Sequence, residues 1–233
     1  MAEIEVSSRL YKEDDATFMT AFVLVGADGD DPALAPITFV LAKGRLITIR
    51  YVEPKPFIAY AAQAERDPDF CQGGVSAFLG LLDAIIDRVA DIIEKTSADV
   101  EVISADIFRP TRRGGFKPIL RRLGRCQSIA AKARGSLVSL ARLLSFAALS
   151  DDIADGKEHR ERLRSLQRDA QSLTDHSAYL TENVTFLLDS AVGLINTDQN
   201  EIMKVFSVWA VVLMPPTLIG SVYGMNFEHM PEL

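Results

Sequence analysis

Between Lys157 and Leu213 the chain has no proline, and small or apolar residues recur at alternating steps of three and four. The series runs Leu163, Leu166, Ala170, Leu173, Ser177, Leu180, Val184, Leu187, Ala191, Leu194. A heptad seam sustained that long predicts one continuous helix. A stripe that narrow predicts packing beside another helix rather than across a sheet. Extended through Tyr223, the helix would measure about 100 Å at ~1.5 Å per residue. No compact domain of this chain length has such a dimension, so the pattern predicts a stalk.

The distal end of that helix is "VFSVWAVVLMPPTLIGSVY", Val205–Tyr223, without a charged side chain. It covers roughly 28 Å, enough for a hydrocarbon core of about 30 Å. Lys204 stands at one end as an interfacial anchor, and Tyr223 fits the aromatic belt at the other. Pro215 and Pro216 leave helix carbonyls without their usual donors, which is tolerable beside neighbouring helices or a water-filled lumen. Ser207, Thr217, Gly220 and Ser221 are the small and hydroxylated residues that mark helix contacts or a pore in lipid. Self-association is therefore expected.

The remainder predicts an α+β fold. "TFMTAFVLV" (17–25), "ITFVLA" (37–42) and "RLITIRYV" (45–52) read as strands, the last two joined at Lys43-Gly44. In the third, Ile47, Ile49 and Tyr51 share one face while Thr48 and Arg50 share the other. "GADGDDPALAP" reads as a loop, Phe57–Arg66 as a short helix, and a stretch starting near Val75, followed by a turn over 109–118 and a second helix over 119–149, as a pair of long antiparallel helices. The expected organisation is a partial α/β portion over 1–74, a helical pair over 75–156 and a stalk over 157–204. A span over 205–223 and an outer loop over 224–233 complete it.

The net charge is −7, yet nine of the 25 basic residues fall between Arg109 and Arg134 with no acid among them. No stacking aromatics accompany this stretch, so nucleic acid is not an expected partner. A helix face balancing acidic neighbours, or one turned toward anionic lipid, is expected instead. The acidic start lacks an apolar leader. Cys71 and Cys126 form no CxxC pair, and His159, His176 and His229 have no ligand spacing. No arrangement of nucleophile, base and acid suggests an enzyme.

"NEIMKVFSVWAVVLMPPTLIGSVYGMNFEHMPEL" (200–233) resembles the first transmembrane segment and signature loop of CorA-type magnesium transporters. The resemblance rests on Tyr-Gly-Met-Asn-Phe directly after a proline-bearing span, with MPEL behind it and a heptad helix before it. It extends back through "LTDHSAYLTENVTFLLDSA" and more loosely to "FVLAKGRLITIRY". It implies a homopentamer in the inner (plasma) membrane, with the N-terminal part cytoplasmic and the signature loop outside. Lys204 at the inner end agrees with positive-inside bias. It also implies a filter of Gly224, Met225 and Asn226, with Asn200, Met203, Phe206, Met214 and Thr217 lining the pore. The family carries a second span and further N-terminal chain, so this sequence is expected to be a piece of a longer protein. Pro216 stands where an aliphatic residue is common.

Magnesium is small, prefers octahedral oxygen ligands and gives up water reluctantly. A ring of Asn226 amides with Gly224 carbonyls would hydrogen-bond the hydrated ion without stripping it, and so let it leave. Glu228 and Glu232 would concentrate cations at the mouth, while Met203, Phe206 and Met214 would form constrictions that close by dewetting. Regulatory magnesium is implied on the cytoplasmic side, with Asp169 and Asp175 as candidate acids on the long helix. Co2+, Ni2+ or Zn2+ are further candidate ions. The competing functions are a zinc or other transition-metal transporter of the same fold, and a non-conducting single-span scaffold.

Overall fold

The computed structural model describes residues 10–29, 31–67, 70–109, 115–150, 153 and 156–224. Contacts divide the chain into two units, Met1–Leu187 and Leu188–Leu233. The first unit is an α+β domain.

It opens with an antiparallel meander, β1 (Leu10–Glu13), β2 (Ala16–Val25), β3 (Ala33–Ala42) and β4 (Arg45–Arg50), paired in that order. At the β3–β4 turn Lys43 and Gly44 take φ of 51° and 72°, the double left-handed geometry that suits a two-residue hairpin. β1 was not legible in the acidic N-terminal sequence. It forms because a two-residue turn, with Asp14 at φ 50°, folds Leu10–Glu13 back on Met19–Ala16. β3 also begins earlier than expected and includes Pro36 opposite Phe22. Pairing with β4 stops at Ile37, so Pro36 lies where β3 is an edge strand and a missing N–H is tolerated.

The register fixes which face is buried. Met19, Ala21, Val23, Ile37, Phe39 and Leu41 point into the core. Opposite Leu41, Phe39 and Ile37 stand Leu46, Thr48 and Arg50. The alternation expected in β4 is present, but its bulky set is the exposed one, with Ile47, Ile49 and Tyr51 all exposed. The guanidinium of Arg50 lies 4.8 Å from the Phe57 ring centre, which lets a charged residue occupy the core side.

Helices α1 (Lys55–Arg66) and α2 (Gly74–Ile107) cover this face. Phe78 of α2 meets Phe39 edge-on at 5.6 Å, with Phe57 of α1 stacked on its other side at 6.3 Å. Helix α3 (Lys117–Ala147) takes the free edge of β2 beyond the reach of β1. There the N–H groups of Phe22 and Leu24 donate to the hydroxyls of Ser139 and Ser136, at 2.9 and 3.2 Å. Two serines on α3 thus satisfy a strand edge that would otherwise be open to pairing.

The last helix, α4, spans Lys157–Tyr223. Within the first unit its seam residues Leu163, Leu166, Ala170, Ser177, Leu180, Val184 and Leu187 are buried, as the heptad pattern anticipates. Ser177 interrupts the apolar series because its hydroxyl donates to the Ala130 carbonyl of α3 at 3.1 Å. Arg162 reaches Asp83 of α2 at 3.0 Å. The seam is filled by helices of the same chain.

Gly74 is where sheet and helix touch most closely. Its N–H donates to the Gly44 carbonyl at 2.8 Å, and a β-carbon there would lie 2.6 Å from the Arg45 carbonyl carbon. Gly74→Ala is therefore expected to destabilise the chain by about 1–3 kcal/mol despite alanine's higher helix propensity. Denaturant unfolding followed by circular dichroism checks this, and an unchanged midpoint would refute the close approach.

Candidate conduction helix and acidic cluster

In the second unit, α4 continues with every side chain from Asn196 to Tyr223 exposed. This is the only helix among the described residues that is long and apolar enough to cross a membrane. Val205–Tyr223 is not part of a globular core, so its apolar side chains are left to a solvent other than water.

The face pattern is decisive. At ~3.6 residues per turn, Asn200, Met203, Phe206, Met214, Thr217 and Gly224 fall within one arc of roughly 120°. Ser207, Ala210 and Ser221 share that arc. The opposite side carries Val205, Val208, Trp209, Val212, Ile219 and Tyr223. The opposite side is thus apolar and bulky, while the first gathers the Ser and Thr hydroxyls of the span together with Met203, Met214 and the bulky Phe206 and Leu218. A span facing lipid all round has no reason for this asymmetry, whereas one facing lipid on one side and other helices or water on the other does.

Two of the hydroxyls within the span are satisfied locally. Ser207 donates to the Met203 carbonyl at 2.8 Å and Thr217 to the Leu213 carbonyl at 2.7 Å. The helix runs through Pro215 and Pro216. Neither can donate to the carbonyl four residues earlier, so Val211 and Val212 lack their usual helical donors. At the end of the helix, the Gly224 N–H donates to the Gly220 carbonyl at 2.9 Å. A β-carbon at Gly224 would stand 3.0 Å from that carbonyl, so glycine permits the tight exit. Met225, Asn226, Glu228 and Glu232 lie outside the described residues.

The two acids singled out on α4 part company. Asp175 accepts a hydrogen bond from Gln171 one turn away, at 3.1 Å. Asp169 lies near an acidic row on α2 formed by Asp83, Asp87 and Asp91. Partial burial, and then the charges of Asp83, Asp91 and Asp169, raise the Asp87 carboxyl above its ordinary value. The sequence signal for this row was its spacing of four, which places the three carboxylates on one helix face. Its meeting with Asp169 is tertiary. Among the described residues no three acidic, histidine or cysteine side chains are grouped closely enough to hold a metal ion.

The basic stretch resolves into named contacts. Arg122 and Arg109 both reach Asp106, at 3.4 and 3.3 Å. Arg125 donates to the Gly29 carbonyl at 2.7 Å, and Lys132 donates to that of Pro32. These cations tie α3 to α2 and to the acidic β2–β3 loop, in keeping with the reading of a face that balances acidic neighbours.

The profile of the family described as "CorA-like Mg2+ transporter protein" matches residues 1–233. The chain belongs to that family. It is 34% identical to the magnesium transport protein CorA of Escherichia coli K12, over all of this chain and 73% of that protein. Among solved structures, the complete CorA magnesium transporter of Methanocaldococcus jannaschii superposes with a TM-score of 0.77 at 19% identity. That match covers 96% of this chain and 70% of the other. The cytoplasmic domain of ZntB from Vibrio parahaemolyticus gives 0.65 at 11% identity, over 84% of this chain and 76% of that one. CorA proteins are transporters rather than enzymes, and membership of that family with one candidate span makes this a membrane protein.

The acidic row makes a signed prediction. A raised carboxyl disfavours its ionised form in the folded state, so stability is gained as pH falls through that raised value, above the ordinary 3.8. Asp28 acts oppositely: its bonds to Lys55 and Arg88 lower its value, so its contribution is lost only below 3.8. Asp87→Asn is expected to raise the unfolding free energy at neutral pH by less than ~1 kcal/mol, because solvent screens an exposed charge. The variant should also lose the wild-type gain just above pH 3.8. Thermal unfolding across that window decides it, and a destabilised variant would contradict the repulsion.

Proposed function

We propose that the chain is a subunit of a divalent-cation channel whose physiological ion is magnesium. The observation that carries this reading is the one face of the span that gathers Asn200, Ser207, Thr217 and Ser221, in a helix that leads in sequence to the Gly224-Met225-Asn226 triplet. Copies gathered around that face, five in the family-like arrangement, would leave a wet axis with lipid on the opposite, bulky side. Lys204 would then sit at the inner interface, with the N-terminal part cytoplasmic and Glu228 and Glu232 outside.

In this reading the ion enters hydrated. Asn226 amides and Gly224 carbonyls hydrogen-bond its water shell, which suits an ion that dehydrates reluctantly. Neutral ligands also keep binding weak enough for exit. Met203, Phe206 and Met214 narrow the axis and close it by dewetting, while Asn200 and Thr217 offer polar stations between them. Cytoplasmic magnesium would regulate the pore by relieving carboxylate repulsion. Asp169, which faces the acidic row of α2, and Asp175 on the same helix are the candidate acids.

The fold likeness to a ZntB cytoplasmic domain supports a second reading, a zinc transporter. A chimera tests both. Residues 200–233, placed in the Escherichia coli CorA protein, are expected to restore growth to a magnesium-uptake-deficient strain. Asn226→Ala in the chimera is expected to abolish growth; unchanged rescue would refute the filter assignment. Cobalt(III) hexaammine, which mimics a hydrated ion, is expected to block uptake, and indifference to it favours a dehydrating zinc route. A chimera that assembles in the membrane yet moves no magnesium would favour a non-conducting scaffold.

A further inference from the structure

From Ile107 to Ser150 the chain has ten cations and no acid. Arg109 and Arg122 share Asp106, and Arg125 and Lys132 donate to loop carbonyls, so these four are engaged within the chain. Lys117, Arg121, Arg134 and Arg142 are different. All four are exposed on α3, and none makes a hydrogen bond or ion pair among the described residues.

Two of the four work against their own helix. Lys117 is the first residue of α3, Arg121 follows one turn later, and the first turn contains no acid. Cations there oppose the positive end of the helix dipole. Helix stability therefore gives no reason for them, whereas an external anion would relieve the conflict.

These two cations also stand at a defined end of the first unit. α2 starts at Gly74, against the β3–β4 turn, and its 34 residues carry the chain about 50 Å away. At that far end Asp106 of α2 meets Arg122 of α3, and α3 then returns to the sheet, where Leu140, Leu143 and Leu144 join the core. α4 runs the opposite way to α3. Its Leu163 and Leu166 lie in the same core, Ser177 meets Ala130, and Leu187 is buried further on. The chain thus leaves the first unit at the end that bears Lys117 and Arg121. The uncharged span opens at Val205, eighteen residues after Leu187, or about 27 Å of helix. A tether that short keeps the bilayer around the span at a high effective concentration for this end.

Phe108, the residue after α2, belongs to the same end and is 56% exposed. An exposed aromatic ring together with unmatched cations suits a lipid surface, where the ring enters the headgroup layer and the cations meet phosphates.

We propose that the end of the α2–α3 hairpin formed by Phe108, Lys117 and Arg121 docks on anionic headgroups of the bilayer that holds the span. The proposal rests on the chain being a membrane protein and not on ion conduction, so failure of either reading leaves the other standing.

The test uses the full chain in nanodiscs. Phe108→Trp provides a reporter, and Trp209→Phe makes it the sole tryptophan. Lipids bearing a headgroup nitroxide quench a tryptophan that reaches the headgroup layer. Quenching is expected to be at least about twofold greater in discs containing phosphatidylglycerol than in discs of phosphatidylcholine alone. Salt at about 1 M, which shortens the screening length to about 3 Å, is expected to abolish the difference. Lys117→Gln combined with Arg121→Gln should abolish it too. Arg142→Gln, also exposed and unpaired but at the sheet end of α3, is expected to leave it unchanged. Circular dichroism confirms that the variants fold. Equal quenching in the two lipids overturns the proposal. So does a difference that survives in the double variant, or one that Arg142→Gln removes equally. Quenching that falls as the copies per disc increase would give this end to a second copy of the chain and overturn it as well.

Discussion

The peptide backbone of α4 sets the terms for the rest of the chain. A single helix from Lys157 to Tyr223 satisfies its N–H and C=O groups internally, and this is what allows one segment to serve both water and hydrocarbon. In its first part the side chains follow the rule for water, with a narrow buried seam and charged flanks. In its last part they follow the rule for lipid, with no charge and with Ser207 and Thr217 folded back onto helix carbonyls. The two prolines are the exception. They remove two donors inside the span, and such a loss is tolerated only where another helix, water or a polar group comes close. The Ser and Thr hydroxyls of the span share one face, whereas Val211 and Val212, whose carbonyls lose their donors, lie off it, so the prolines and the face pattern are separate constraints on what surrounds the span.

The soluble unit is held by the opposite strategy, in which polar groups reach across elements. Ser136 and Ser139 close the β2 edge, Ser177 closes a carbonyl of α3, and Gly74 ties the start of α2 to a hairpin turn. Around the β2–β3 loop, four cations from three helices engage a short acidic segment: Lys55, Arg88, Arg125 and Lys132. Each such exposed contact is worth little, about 0–1 kcal/mol. Together they position the loop that walls the cavity between α2 and α3.

Elements governed by periodicity were legible in the sequence. The long helix, α2 and the alternation in β4 follow from spacing, because burial imposes the period of the element on its apolar residues, while α1, α3, the span and the other two strands follow from composition and from the turn and proline signals that bound them. β1 was not legible, since Tyr11, Lys12 and Glu13 are exposed and only pairing with β2 makes them a strand. Nor could the sequence tell that Ile47 and Ile49 face outward. Alternation identifies two faces, but the register with β3 decides which one meets the core. For the site, the arc from Asn200 to Gly224 is helical arithmetic and was accessible from sequence. The meeting of Asp87 with Asp169 joins residues far apart in the chain and required the fold.

The same division explains why charge was the harder signal to read. Nine cations in a short stretch suggest a surface for an anionic partner until their acceptors are known. Two of those acceptors are backbone carbonyls, at Gly29 and Pro32, and a carbonyl is present at every residue and so leaves no trace in composition. A basic helix face beside an irregular loop can therefore be largely structural.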